Sequence, residues 1–72
     1  MFDVRDCIKP AIDHAGMKHI AVAQRVGLTG QQLTDIIAKR RKLEANELIG
    51  ICQAINITPN DLLTYGIGNR PN

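Results

Sequence analysis

Seventy-two residues allow one domain with a single modest core and leave no room for that core plus a deep substrate cavity. Hydrophobic residues are 44% of the chain, nearly all aliphatic, and the net charge is +2, a balance that excludes a disordered chain. No stretch approaches the ~20 apolar residues of a membrane span, and the start MFDVRDC carries acids where a signal peptide needs bases, so a cytoplasmic protein is expected.

The first predicted helix runs from about Asp3 to Ala15. Val4, Cys7, Ile8, Ala11, Ile12 and Ala15 form one apolar stripe, with Asp3 as cap and Gly16 as stop. Pro10 interrupts it, at roughly 3 kcal/mol for a mid-helix position. Either the helix kinks there or it starts at Pro10 after an irregular arm; the unbroken stripe favours the kink. The second helix, about His19 to Val26, turns Ile20, Val22, Ala23 and Val26 inward and stops at Gly27, where a positive φ is expected.

The third helix opens with a Thr-x-x-Gln capping box, Thr29 and Gln32, hides Leu33, Ile36 and Ile37, and ends near Ala38 or Lys39. The fourth, about Ala45 to Ile55, carries Leu48, Ile49, Ile51, Cys52 and Ile55. The fifth begins with Thr58 as cap and Pro59 as the first helical residue, with Asp61 favoured by the helix dipole, and ends by Tyr65-Gly66. No strand pattern competes. The expected fold is all-α, with a domain over residues 1–66 and a flexible tail over 67–72.

Cys7 and Cys52 are too few and too far apart for a zinc site or a disulfide framework, and both fall on apolar helix faces. Buried thiols are the expectation, with no metal and no cofactor. Paired carboxylates, a glycine-rich phosphate loop and a nucleophile with a plausible base are all missing, which argues against an enzyme.

The unit His19–Ala38 is two helices joined by a tight turn. Ala23 is small where the helices cross, Gly27 occupies the bend, and Val22, Val26, Leu28, Leu33 and Ile36 lock the pair. The stretch GMKHIAVAQRVGLTGQQLTDIIAKRRKLEANELIGICQAINITPNDLL resembles the lambda repressor/Cro-like helix-turn-helix family, also called the XRE family. The likeness covers about Gly16 to Leu63, most of the chain. It implies a five-helix DNA-binding domain whose third helix enters the major groove, often as a dimer on a two-fold operator. The sequence departs from the family pattern at four positions: Pro10 in a first helix that is usually continuous, Lys18 and Glu44 at usual Ser or Thr caps, and Lys39 at a common Gly.

Burial of Leu33, Ile36 and Ile37 leaves Thr29, Gly30, Gln31, Thr34, Asp35 and Ala38 on the opposite face, with Gln32 at its margin. The candidate base-contacting residues are therefore Thr29, Gly30, Gln31, Gln32, Thr34 and Asp35. The Gln31 amide matches adenine N6 and N7, Asp35 can accept from cytosine N4, and the Thr34 methyl can meet a thymine methyl. Gly30 lets the backbone come close, while Gln32 fits the capping box better than a base. No Arg lies on this face, so guanine recognition is not expected from it.

Phosphate contacts are expected from Lys18 and His19 at the start of the second helix, and from the run Lys39, Arg40, Arg41 and Lys42. Such a run equally suits a solvated loop. Leu63, Tyr65 and Ile67 are candidates either for a homodimer contact or for closing the core. The expected function is a sequence-specific regulator binding double-stranded operator DNA, a repressor of the phage or mobile-element type. The alternative is a protein-interaction module, an antitoxin or anti-repressor, on the same fold.

Overall fold

The computed structural model describes residues 2–67, so Ile67 as a dimer contact and the tail 68–72 lie outside the described side chains. Among the described residues every regular element is helical. A 3-10 turn over Val4–Cys7 leads directly into α1 (Ile8–Ala15). It is followed by α2 (His19–Val26), α3 (Gly30–Ile37), α4 (Ala45–Ala54) and α5 (Pro59–Ile67).

The start of the chain resolves the proline problem differently from either expectation. Asp3 caps a 3-10 turn, its carboxylate accepting from the Arg5 N–H at 2.9 Å, and the α-helix proper begins at Ile8. Pro10 thus falls in the first α-helical turn, the part of a helix that tolerates proline best. The apolar stripe continues past it because one helical form passes into the other without a break. At the far end Ala15 is exposed.

Four helices end in the same way. Gly16, Gly27, Lys39 and Asn56 all have positive φ, and the N–H of the next residue returns to a carbonyl five positions back. These bonds run from Met17 to Ile12, Leu28 to Ala23, Arg40 to Asp35 and Ile57 to Cys52. This Schellman-type stop satisfies carbonyls that would otherwise be orphaned. Gly27, at φ 88, takes the conformation expected of it. Lys39 keeps the left-handed stop, at φ 66, although it has a Cβ.

The core gathers Cys7, Ile8, Ala11 and Ile12, Val22 and Ala23, Leu33 and Ile36, Ile51, Cys52 and Ile55, and Leu62. Both cysteines are buried thiols. Burial pushes the Cys52 thiol pKa up, and the charge of Asp61 adds to the effect. Helix α4 lies across α2, with the missing side chain of Gly50 making room for Val26: an added Cβ would sit 3.2 Å from Val26 Cγ1. The 3-10 turn packs against α5.

Ile20, expected inside, is not, and Ile49 is likewise exposed. Ile20 is 49% exposed; it lies in the first turn of α2, with its Cδ1 over Gly30. Ile49 is 48% exposed, because residues 48, 51, 52 and 55 define the inner face of α4 and position 49 is turned about 100° away.

Candidate nucleic-acid interface

Both ends of α3 are fixed locally. At its start the Thr29 hydroxyl accepts from the Gln32 N–H at 3.0 Å, and the Gln32 side chain accepts from the Thr29 N–H at 2.9 Å. The box expected from sequence is formed on both sides, and it commits the Thr29 and Gln32 oxygens to the backbone. Leu33 and Ile36 are fully buried and Ile37 is half-buried, which leaves the opposite side of the helix outward.

That outward face carries Thr29, Gln31, Thr34 and Ala38, all exposed, with Gly30 and Asp35 half-buried. The Thr34 hydroxyl donates to the Gly30 carbonyl at 2.9 Å, so its methyl is the part left for contact. Gln31 Nε2 donates to Asp35 Oδ1 at 2.9 Å. The same oxygen accepts from Arg40 Nε at 3.2 Å and Nη2 at 3.0 Å. Asp35 is therefore engaged within the protein through Oδ1. Arg40, assigned to phosphate by its place in the basic run, is folded back beside the outward face of α3. Sequence reasoning missed this; the signal was Lys39 at a glycine-type stop, which sends the next residue backward.

The basic run is largely neutralised by acids from elsewhere in the chain. Lys39 Nζ lies 2.7 Å from Asp6 Oδ1, and Arg40 pairs with Asp35. Arg41 Nη1 lies 3.1 Å from Glu47 Oε2 in an ion pair whose angle falls short of a hydrogen bond. The Arg41 carbonyl also accepts from Arg5 Nη1 at 3.1 Å. Arg5 is itself held by Asp3, whose carboxyl these bonds pull down to about 2. Lys42 is exposed and makes no ion pair among the described residues.

At the start of α2, Lys18 is the exposed cap residue and supplies no capping bond from its side chain. The first N–H groups of this helix are thus open to an outside acceptor. His19 Nε2 sits 3.3 Å from Asp13 Oδ1. Asp13 is held below the usual carboxylate range first by its hydrogen bond from Lys9 and then by the one from His19. At the cap of α4, where the family pattern has Ser or Thr, the Glu44 N–H donates to Glu47 Oε1 at 3.0 Å.

At the C-terminal end, Tyr65 is packed against the core, and its hydroxyl lies 2.9 Å from His14 Nδ1 in a hydrogen bond, with the rings 5.6 Å apart. Tyr65 thus closes the domain on α1, with His14 as its partner. Leu63 is half-buried. No pocket opens among the described residues, and none of their helices is long and apolar enough to cross a membrane. The candidate site is a surface.

The Cro/C1-type helix-turn-helix DNA-binding domain pattern matches residues 8–66. Among solved structures, the clp gene regulator ClgR from C. glutamicum has a TM-score of 0.81 to this chain at 15% identity. The match covers 94% of this chain and 88% of that one, a likeness of fold. No curated protein sequence matches the chain.

Proposed function

The chain belongs to the Cro/C1-type helix-turn-helix DNA-binding domain family, and on that premise we propose that it is a sequence-specific transcriptional regulator. In this reading it is a repressor of the phage or mobile-element type that binds double-stranded operator DNA. Its α3 enters the major groove. The observation that carries the reading is the division of α3: Leu33 and Ile36 fully buried on one side, Gln31 and Thr34 exposed on the other. A fold shared with a gene regulator supports it.

Gln31 is the main base reader. Its bond to Asp35 leaves Oε1 and the second Nε2 hydrogen to meet adenine N6 and N7. The Thr34 methyl, turned outward by the hydroxyl's bond to Gly30, meets a thymine methyl. Lys18, with the open N–H groups of α2, and Lys42 hold phosphates on either side of the groove. His19 assists where it exchanges Asp13 for a phosphate. Lys39 and Arg41 contribute mainly to the shape of the loop after α3, because each already holds an acid. Two copies on half-sites about 34 Å apart would double the few base contacts of one domain, with Leu63 near the contact.

Selection from a pool of random duplexes, followed by gel shift at rising salt, tests this. Enrichment of a defined site bound in a salt-sensitive manner is the expected result. Absence of binding even at low salt would instead favour the protein-interaction role on the same fold.

A further inference from the structure

The geometry points to Arg40 as a base-reading residue of the interface, specific for guanine, with Asp35 as the positioning residue that holds it. The inference rests on the proposed entry of α3 into the major groove and names a second base reader beside Gln31.

Four observations converge on it. First, the left-handed residue Lys39 reverses the chain after α3, so that the backbone N–H of Arg40 returns to the Asp35 carbonyl at 2.8 Å. The residue that follows the recognition helix is thereby laid back against it. Second, the Arg40 side chain donates through Nε and Nη2 to Asp35 Oδ1. This spends one edge of the planar guanidinium and leaves the Nη1–Nη2 end edge unspent. Third, Gln31 Nε2 donates to that same oxygen, so the amide of the leading base reader and the guanidinium meet at one atom on the outward face of α3. Fourth, the Arg40 side chain is 62% exposed, so its unspent edge is open to an approaching duplex.

The chemistry of that edge is selective. Two parallel N–H donors match guanine O6 and N7, the commonest specific contact in the major groove. A guanidinium swinging on a flexible stem meets phosphates as readily as bases. One anchored by a carboxylate is held in orientation before binding, as the supporting groups of precise sites are. Asp35 also fixes which way the Gln31 amide points, because its oxygen accepts only from the nitrogen end. The pair Gln31–Arg40 therefore presents an adenine-matching group and a guanine-matching group side by side. Asp35 serves both without touching a base.

The experiment uses the full chain, a random duplex pool, and then the enriched duplex with each base pair changed in turn. Wild type is expected to enrich a site containing a guanine next to the position that Gln31→Ala relaxes. In Arg40→Ala the preference for that guanine should fall about five- to 150-fold, with the rest of the site still selected. Arg40→Lys should not restore it, since an ammonium keeps the charge but lacks the planar fork. Asp35→Asn should weaken the preference for both the guanine and the adenine while circular dichroism and the melting midpoint stay near wild type.

A uniform loss on all duplexes in Arg40→Ala, restored by Arg40→Lys and accompanied by a shallower salt dependence, would make Arg40 a phosphate contact and overturn the inference alone. So would an unchanged guanine preference in Arg40→Ala. A wild-type chain that enriches no site would overturn it together with the function from which it starts.

Discussion

Lys39 Nζ lies 2.7 Å from Asp6 Oδ1, tying the turn that follows α3 to the 3-10 turn near the start of the chain. The same lysine holds a left-handed backbone, φ 66, in a place where glycine is the usual choice. One residue thus carries both a conformational cost and a long-range link.

That cost can be isolated. Lys39→Gly and Lys39→Ala both lose the ion pair, but only alanine keeps the left-handed strain, roughly 1–2 kcal/mol for an L-residue. Lys39→Gly should therefore be the more stable of the two by about 1 kcal/mol in urea unfolding, after allowance for the added freedom of the glycine chain. The mirror case is Gly27→Ala. Nothing lies within 4 Å of its added Cβ, so its loss, about 1–2 kcal/mol, should be purely conformational.

Acid should weaken the first turn in a defined window. The folded Asp3 carboxyl is pulled from its ordinary 3.8 down to about 2, first by the side-chain hydrogen bond from Arg5 and then by the Arg5 backbone N–H. A depressed carboxylate stabilises the fold in full above its unfolded value and loses that contribution as pH falls toward its folded value. Wild type and Asp3→Ala should then differ in melting midpoint above about pH 4 and converge toward pH 2. A difference that persists unchanged at pH 2 would point to packing instead of charge.

Affinity should depend on salt less steeply than the basic run suggests. Each phosphate contact adds a slope of about −0.9, and the cations at 39–41 already hold acids. With Lys18 and Lys42 as the main contacts, a slope of about −2 per protomer is expected. Lys42→Ala should weaken all duplexes alike and lower that slope by about 1, whereas Gln31→Ala should relax preference at one base pair with the slope unchanged. Binding at several salt concentrations checks both.

The helix crossing should not tolerate bulk. Ala23 is fully buried in the layer where α2 meets its neighbours. Ala23→Leu should cost about 1–3 kcal/mol through overpacking, read as a lower urea midpoint with an unchanged slope.

What was legible in the sequence was local. The capping box Thr29–Gln32 forms as its spacing predicts, and Thr58 caps α5 as expected, its hydroxyl accepting from the Asp61 N–H; the return bond from the Thr58 N–H to the Asp61 carboxylate goes beyond the dipole role expected of that acid. The outward placement of Gln31 and Thr34 followed from the helical period once Leu33 and Ile36 were set inside. Contacts between distant segments were not legible. Nothing in the run Lys39–Lys42 announces that Asp6 and Glu47 will come to meet it, because ion partners depend on tertiary packing and not on spacing. Arg40 is an intermediate case: its partner is only a turn away, but the contact requires a left-handed backbone at a lysine, which propensity argues against. The exposed Ile20 and Ile49 mark a further limit, since short amphipathic helices contain more aliphatic residues than one small core can cover.

The seating of the 3-10 turn against α5 also bears on how the domain assembles. Its earliest and latest elements become neighbours, so the chain must close a large loop to finish folding. Such closure becomes only slowly more costly as the loop lengthens. Helices α2, α3 and α4, adjacent in the chain, can find each other beforehand. Rupture of the Tyr65–His14 bond would then act as a latch coming undone, speeding loss of the native state more than it slows arrival there.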